Sequence, residues 1–340
     1  MYRLILVFSL ACLAMTLPAR EVTDADGRKV TVPDTVKRVY GASPPVTYLL
    51  YAFDPAVVIG LNFPFNADEK SGLDPKFTAL PVVGGWFGQG MTPNFEEVLR
   101  QRPDVMLVWR NHFLHPNEGK EFIEGLPIPY VAMNFDKLAN EIDNIRVVGD
   151  VLNQPERAQA LLAYARQTLE TAEKFRMQQA DKSAIRVYYA ESPDGLQTEC
   201  QQSFHAELIE LAGAQNVHQC VQKNLYGREQ VSMEQVLQYN PAVIIAFEPA
   251  FYKNIWQNPS WQLIDAVKQK KVYLIPRRPF NWFDRPPSFM RFMGLQWLMA
   301  KLHPEDYKID LIKETRDFYK LFLRITLDEA QARDVLGEEK

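Results

Sequence analysis

Two α/β lobes, each with a mostly parallel central sheet flanked by helices and joined by one long α-helix, are the fold this sequence predicts. Three observations carry that expectation. The chain has 340 residues, 47% of them hydrophobic, which is material for two cores rather than one. A helix–proline–strand unit occurs twice, because Phe95 to Trp109 aligns without a gap on Met233 to Phe247. Between the copies, the segment from Pro155 to Ala180 has no internal glycine or proline and repeats apolar residues at helical spacing.

Composition narrows the function classes. Formal net charge is −4, and no strongly basic stretch exists to neutralise phosphates, so nucleic acid is not an expected partner. Charged residues make up 24% and aromatics 12%, which excludes a disordered or collagen-like chain. Three cysteines are too few for a framework of bridges.

The elements follow in order. Residues 1–19 carry Arg3, an apolar run from Leu4 to Leu17 and a small residue, Ala19, just before Arg20 and Glu21. That order predicts a cleavable secretory signal and a periplasmic protein, since the run falls short of the roughly 20 residues that span a bilayer. Residues 20–152 form the first lobe, with strands at Lys37–Ser43 and Val57–Gly60 around a helix through Tyr48–Ala52. Residues 153–181 form the interlobe helix, whose stretch from Pro155 to Ala180, roughly 26 residues, is ~39 Å long at 1.5 Å per residue, with Leu161, Leu162, Ala165, Leu169, Ala172 and Phe175 at helical spacing. Residues 182–303 form the second lobe, where Ile185–Ala190 is a strand and the helix 206–212 stops at Gly213. The twin helices start at Thr92-Pro93 and at a capping box of Ser232 with Gln235. Residues 304–340 are a charged helical extension packing back across the lobes.

Taken together, these segments resemble the helical-backbone class of periplasmic substrate-binding proteins, which feed ABC importers with ferric siderophores, vitamin B12, haem or metal ions. The likeness lies in Arg38 to Tyr51, Val82-Val83-Gly84-Gly85-Trp86 and Asn94 to Trp109. It continues in Ser203 to Gly213, Val231 to Leu237, Val272 to Pro276 and Asn281 to Ser288. The resemblance implies a ligand held between the lobes, where loops leave the carboxyl ends of the strands. The side chains leaving those ends include Phe63, Trp86, Phe87 and Arg110 in the first lobe, and Tyr226, Arg228, Trp282 and Arg285 in the second. Rings suit planar groups and guanidinium suits anionic oxygens, so an anionic metal chelate fits both. Glycines around Trp86 (Gly84, Gly85, Gly88 and Gly90) keep that loop low and its ring exposed. The resemblance places the Trp282–Arg285 turn at the cleft.

The expected function is capture of a metal chelate, a ferric siderophore first, and delivery to the membrane subunits of an ABC importer by a monomer without a cofactor of its own. Vitamin B12, haem or a nickel or cobalt complex is the alternative within the class, and an exported enzyme or metal-centre chaperone the remote one. Haem fits less well, because Trp86, Phe87 and Gln89 stand where haem binders of the family often carry a tyrosine. No Gly-x-Ser-x-Gly elbow, His-Glu-x-x-His pair or phosphate-cradling loop appears, so no catalytic residue is assigned. Cys200 and Cys220 read as one disulfide in an oxidising compartment, with a metal set including His205 and His218, or free thiols, as alternatives. His112 and His115 have the spacing of a metal pair but lack carboxylates or cysteines beside them. Glu96 and Glu234 hold equivalent positions in the first turns of the twin helices, where the helix dipole alone favours an acid. The resemblance gives both a further role, docking onto arginines of the transporter.

Overall fold

The computed structural model describes residues 18–87, 92–110, 123–222 and 226–338. The signal-like segment up to residue 17, Gly88, Gly90, His112 and His115 lie outside the described residues.

The chain opens with an antiparallel hairpin, β1 (Ala19–Thr23) on β2 (Lys29–Pro33). Its turn is built on Asp24, whose carboxylate accepts from the backbone of Asp26 and Arg28 at 3.0 and 2.8 Å. Ala25 N–H then donates to Ala132 O at 3.0 Å and fastens the hairpin to the first lobe. That lobe centres on three parallel strands in the order β3 (Val39–Gly41), β4 (Val105–Trp109) and β5 (Tyr130–Met133). The expected strand at Val57–Gly60 is reduced to a single bridge from Val58 to Val39, because Pro55–Val57 turns as a 3-10 helix first.

The second lobe is a four-stranded parallel sheet, β11-β10-β6-β8, with β6 (Ile185–Ala190), β8 (Ala214–Asn216), β10 (Val243–Ala246) and β11 (Val272–Leu274). A two-residue ribbon, β7 (Gln197–Thr198) against β9 (Glu229–Gln230), sits beyond the carboxyl end of β6. Parallel sheets covered on both faces favour unbroken apolar strands, as in β4 and β10, which are buried throughout.

Helix Phe95–Arg100 leads to β4 and helix Met233–Tyr239 to β10, the two copies of the repeated unit. The first is capped by the Asn94 side chain accepting from Glu97 N–H, two residues past the expected Thr92; the second has the Ser232–Gln235 capping box. The connecting helix runs from Pro155 to Gln179, 25 residues, with Leu161, Ala165, Ala172 and Phe175 buried and Leu162 and Leu169 partly so. The final segment crosses this helix. Tyr164 of the connecting helix donates to Glu314 at 2.5 Å, and Gln296 joins both at 2.6 and 2.9 Å.

Candidate functional site

Both sheets present their carboxyl ends to the seam between the lobes. On the first lobe, β3 ends at Gly41, where a Cβ would sit 2.5 Å from the Thr47 hydroxyl, so only glycine fits. Thr47 donates to Asn62 Oδ1 at 2.7 Å, and Asn62 Nδ2 donates to Gly41 O and Gly84 O at 2.9 and 3.1 Å. A side chain at Gly85 would strike Asn62 Nδ2 at 2.4 Å, and Trp86 N–H donates to Ala42 O at 2.7 Å. The loop is therefore pinned low on the strand ends, with Trp86, Phe87 and Phe63 half-buried along its rim. Trp86 packs on Phe95 at 5.4 Å and Phe87 on Phe63 at 5.5 Å. Beside them Ser43 stands at the N-cap position of helix Pro44–Phe53 without capping it, and its buried hydroxyl has no partner among the described residues.

The second lobe supplies a buried polar network. Asp284 accepts from Tyr189 at 2.6 Å and pairs with His205 Nδ1 at 2.7 Å. Next to it, Arg285 donates to Glu191 and Glu199 at 2.5 and 2.6 Å and to Tyr226 O at 3.2 Å. Burial, then repulsion from Glu191, pushes the Glu199 carboxyl up to about 9, so it holds a proton at neutral pH. Burial and the Arg285 charge depress the His205 imidazole. Asp284 stays below the ordinary range: burial opposes this, but His205, Arg285 and Tyr189 outweigh it.

Two aromatic contacts close the seam. Phe280 stacks on Tyr48, and Phe204 meets Trp109 edge-on at 6.0 Å. Buried Arg291 pairs with Glu207, whose carboxylate also accepts from Leu138 N–H at 2.9 Å.

The structure sorts the residues singled out from sequence. Phe63, Trp86 and Phe87 line the first lobe's rim together. Tyr226 is half-buried and Arg228 exposed at the ribbon, with Arg228 N–H donating to Glu199 at 2.9 Å. Trp282 is not on the wall: it is fully buried, with its indole donating to Tyr319 at 3.4 Å and its carbonyl against Gly294. Arg285 is not free for a ligand, because its charge is already matched by Glu191 and Asp284 and its remaining N–H donates to the protonated Glu199. Arg110 is exposed but pairs with Asp26 of the hairpin. Cys200 and Cys220 form a disulfide, with Cα atoms 5.2 Å apart. Glu96 and Glu234 both stand exposed in the first turns of their helices.

Sequence reasoning passed over Arg277. It follows β11 at the strand's carboxyl end, lies over the Phe247 ring at 5.4 Å and has no carboxylate partner among the described residues. Its place three residues past an apolar strand was the available signal.

Known proteins with this arrangement are informative. The chain is 28% identical to the molybdate-binding protein MolA of Haemophilus influenzae over 93% of this chain and 95% of that one. It is 27% identical to the vitamin B12-binding protein of Vibrio cholerae, over 75% of this chain and 85% of that protein. Among solved structures, an ABC transporter solute binding protein from Sulfurospirillum deleyianum superposes with a TM-score of 0.88 at 36% identity, covering 94% of this chain and 99% of that one. The periplasmic binding protein family matches residues 78–279. Twin parallel sheets facing one seam, a single connecting helix and these relatives agree: the chain belongs to the periplasmic binding protein family, a substrate-binding protein of ABC transporters and not an enzyme.

Proposed function

We propose that this protein captures a compact anionic metal species between its lobes, a tetrahedral oxyanion of the molybdate type first, and hands it to an ABC importer. The observation that carries the reading is a pair of second-lobe guanidinium groups, one past β11 and one at the β7–β9 ribbon, that make no ion pair among the described residues. Arg277 and Arg228 have no carboxylate partner among the described residues, whereas Arg285 and Arg110 are matched. A guanidinium fork suits oxyanion edges. Ser43, with its buried unpartnered hydroxyl at a helix start, adds a donor. Compact size is supported by the fate of the rings, since Trp282, Phe280, Tyr48 and Trp109 are used in packing. The full-length likeness to a protein that binds molybdate points the same way.

A ferric siderophore is the second reading, favoured by the half-buried rings of Phe63, Trp86 and Phe87, whose faces suit a catecholate. Calorimetry with molybdate, tungstate, sulfate, ferric catecholate and hydroxamate chelates, cobalamin, haem and nickel–histidine separates the two. The lead reading expects one-to-one binding of molybdate and tungstate that weakens in Arg277→Ala. Saturation by a ferric chelate alone supports the second reading, and binding of none overturns both.

A further inference from the structure

Apart from the seam, one cluster in the second lobe has the donor set of a metal site. The ligand atoms of Cys200, His218 and Cys220 all lie within 4.8 Å of one another. The backbone holds the three together: Cys220 N–H donates to Gln201 Oε1 at 2.9 Å, and Gln201 N–H donates to His218 O at 3.1 Å. His218 N–H is itself held by Asn216 Oδ1 at 3.0 Å. The His218 ring is oriented as well, because its Nδ1 lies 3.0 Å from the Tyr239 hydroxyl, which leaves Nε2 as the ring nitrogen available to an ion. A ring nitrogen fixed by an outer partner while the other faces the ion is the usual arrangement of a metal-binding histidine.

A carboxylate outside that 4.8 Å cluster is the candidate fourth ligand. Glu229 stands opposite Thr198 in the β7–β9 ribbon, two residues before Cys200. Its Oε1 is buried and has no partner among the described residues, and its charge is felt at the His218 ring. Two thiolates, one imidazole and one carboxylate make a set suited to a tetrahedral, borderline-soft ion such as Zn²⁺.

We propose that Cys200, Cys220 and His218, with Glu229 moving in as the fourth ligand, form a redox-gated Zn²⁺ site, closed while the two sulfurs are bonded to each other and opened when the bond is reduced. Opening consumes two electrons and two protons. A dithiol supplies them, becomes a disulfide itself, and leaves two protein thiols. Binding Zn²⁺ then releases both thiol protons to solvent as two Zn–S bonds form.

The test uses the full chain, reduced anaerobically with a water-soluble phosphine, which takes up oxygen from water as the disulfide becomes two thiols. Cobalt(II) is the probe. One equivalent should give thiolate-to-cobalt charge transfer with the intense visible bands of tetrahedral cobalt, and Zn²⁺ should displace it. The oxidised protein and the Cys200→Ser/Cys220→Ser variant should give neither. Tyr239→Phe should weaken binding by about 10- to 100-fold while the spectrum stays tetrahedral. Circular dichroism accompanies each titration: if reduction loosens the second lobe, metal should restore it. An octahedral spectrum, equal binding by the oxidised protein, or a reduced chain that neither binds nor refolds with metal overturns the proposal. Ligand capture at the seam is measured separately and does not bear on this result.

Discussion

Phe280 of the second lobe lies flat on Tyr48 of the first, ring centroids 3.7 Å apart and planes 12° from parallel. Phe65 and Tyr51 enclose the same ring at 6.0 and 6.5 Å. Phe280 is therefore one of the side chains that tie the lobes at the seam. Phe280→Ala should cost about 3–5 kcal/mol of stability and widen the lobe separation measured by small-angle scattering. An unchanged denaturation midpoint would show that the stack carries no load.

The two tryptophans once paired on the same wall should now behave differently. Trp282→Ala removes a fully buried ring and should destabilise the protein by about 3–5 kcal/mol. Trp86→Ala removes a half-buried rim ring, leaving stability nearly intact and weakening ligand binding by about three- to tenfold. Chemical denaturation and calorimetry on the two variants decide it.

Trp282 also shows what a sequence reading reaches. The twin helix–strand units and the inward face of the connecting helix were legible because caps, prolines and apolar spacing are local signals. The burial of Trp282 was not, since it depends on Tyr319, 37 residues onward. Arg285 likewise looked like a ligand cation until Glu191, 94 residues away, was seen to hold it. Aromatic and charged residues after strands have the same local pattern whether they meet cargo or the far side of their own lobe.

Glu199 sets a pH dependence. Its carboxyl is raised from 4.5 to about 9, so the folded protein keeps a proton that the unfolded chain releases. Stability contributed by that proton is present at acid pH and is lost as pH rises from about 4.5 towards about 9. Glu199→Gln should flatten this slope and be the more stable form at pH 9, checked by urea denaturation across pH. A parallel slope in the variant would assign the effect elsewhere.

Removing the cation of the same network should be severe. Arg285→Met leaves Glu191 and Asp284 buried without their cation and Glu199 without its donor, at a cost of about 3–5 kcal/mol. Denaturant titration reads the loss directly, and a neutral outcome would mean that the carboxylates take up protons instead.

Glu96 and Glu234, both exposed on the repeated helices, offer a docking test. Reversing both charges should abolish uptake in cells, with calorimetric ligand affinity intact. Normal uptake would remove them from the transporter contact.

The closing segment has a consequence for how the molecule is assembled. Arg324 donates to the carbonyl of Phe53, 271 positions earlier, and Arg157 donates to Ala52 O at 2.9 Å. The first helix of the N-terminal lobe thus has its negative pole satisfied by residues synthesised long after it. Those ties to the helix form only after Arg157 and Arg324 have been made, so the first lobe gains its last contacts late in synthesis. Both halves should consequently melt as one unit, and clipping the tail should loosen the beginning of the polypeptide rather than its end.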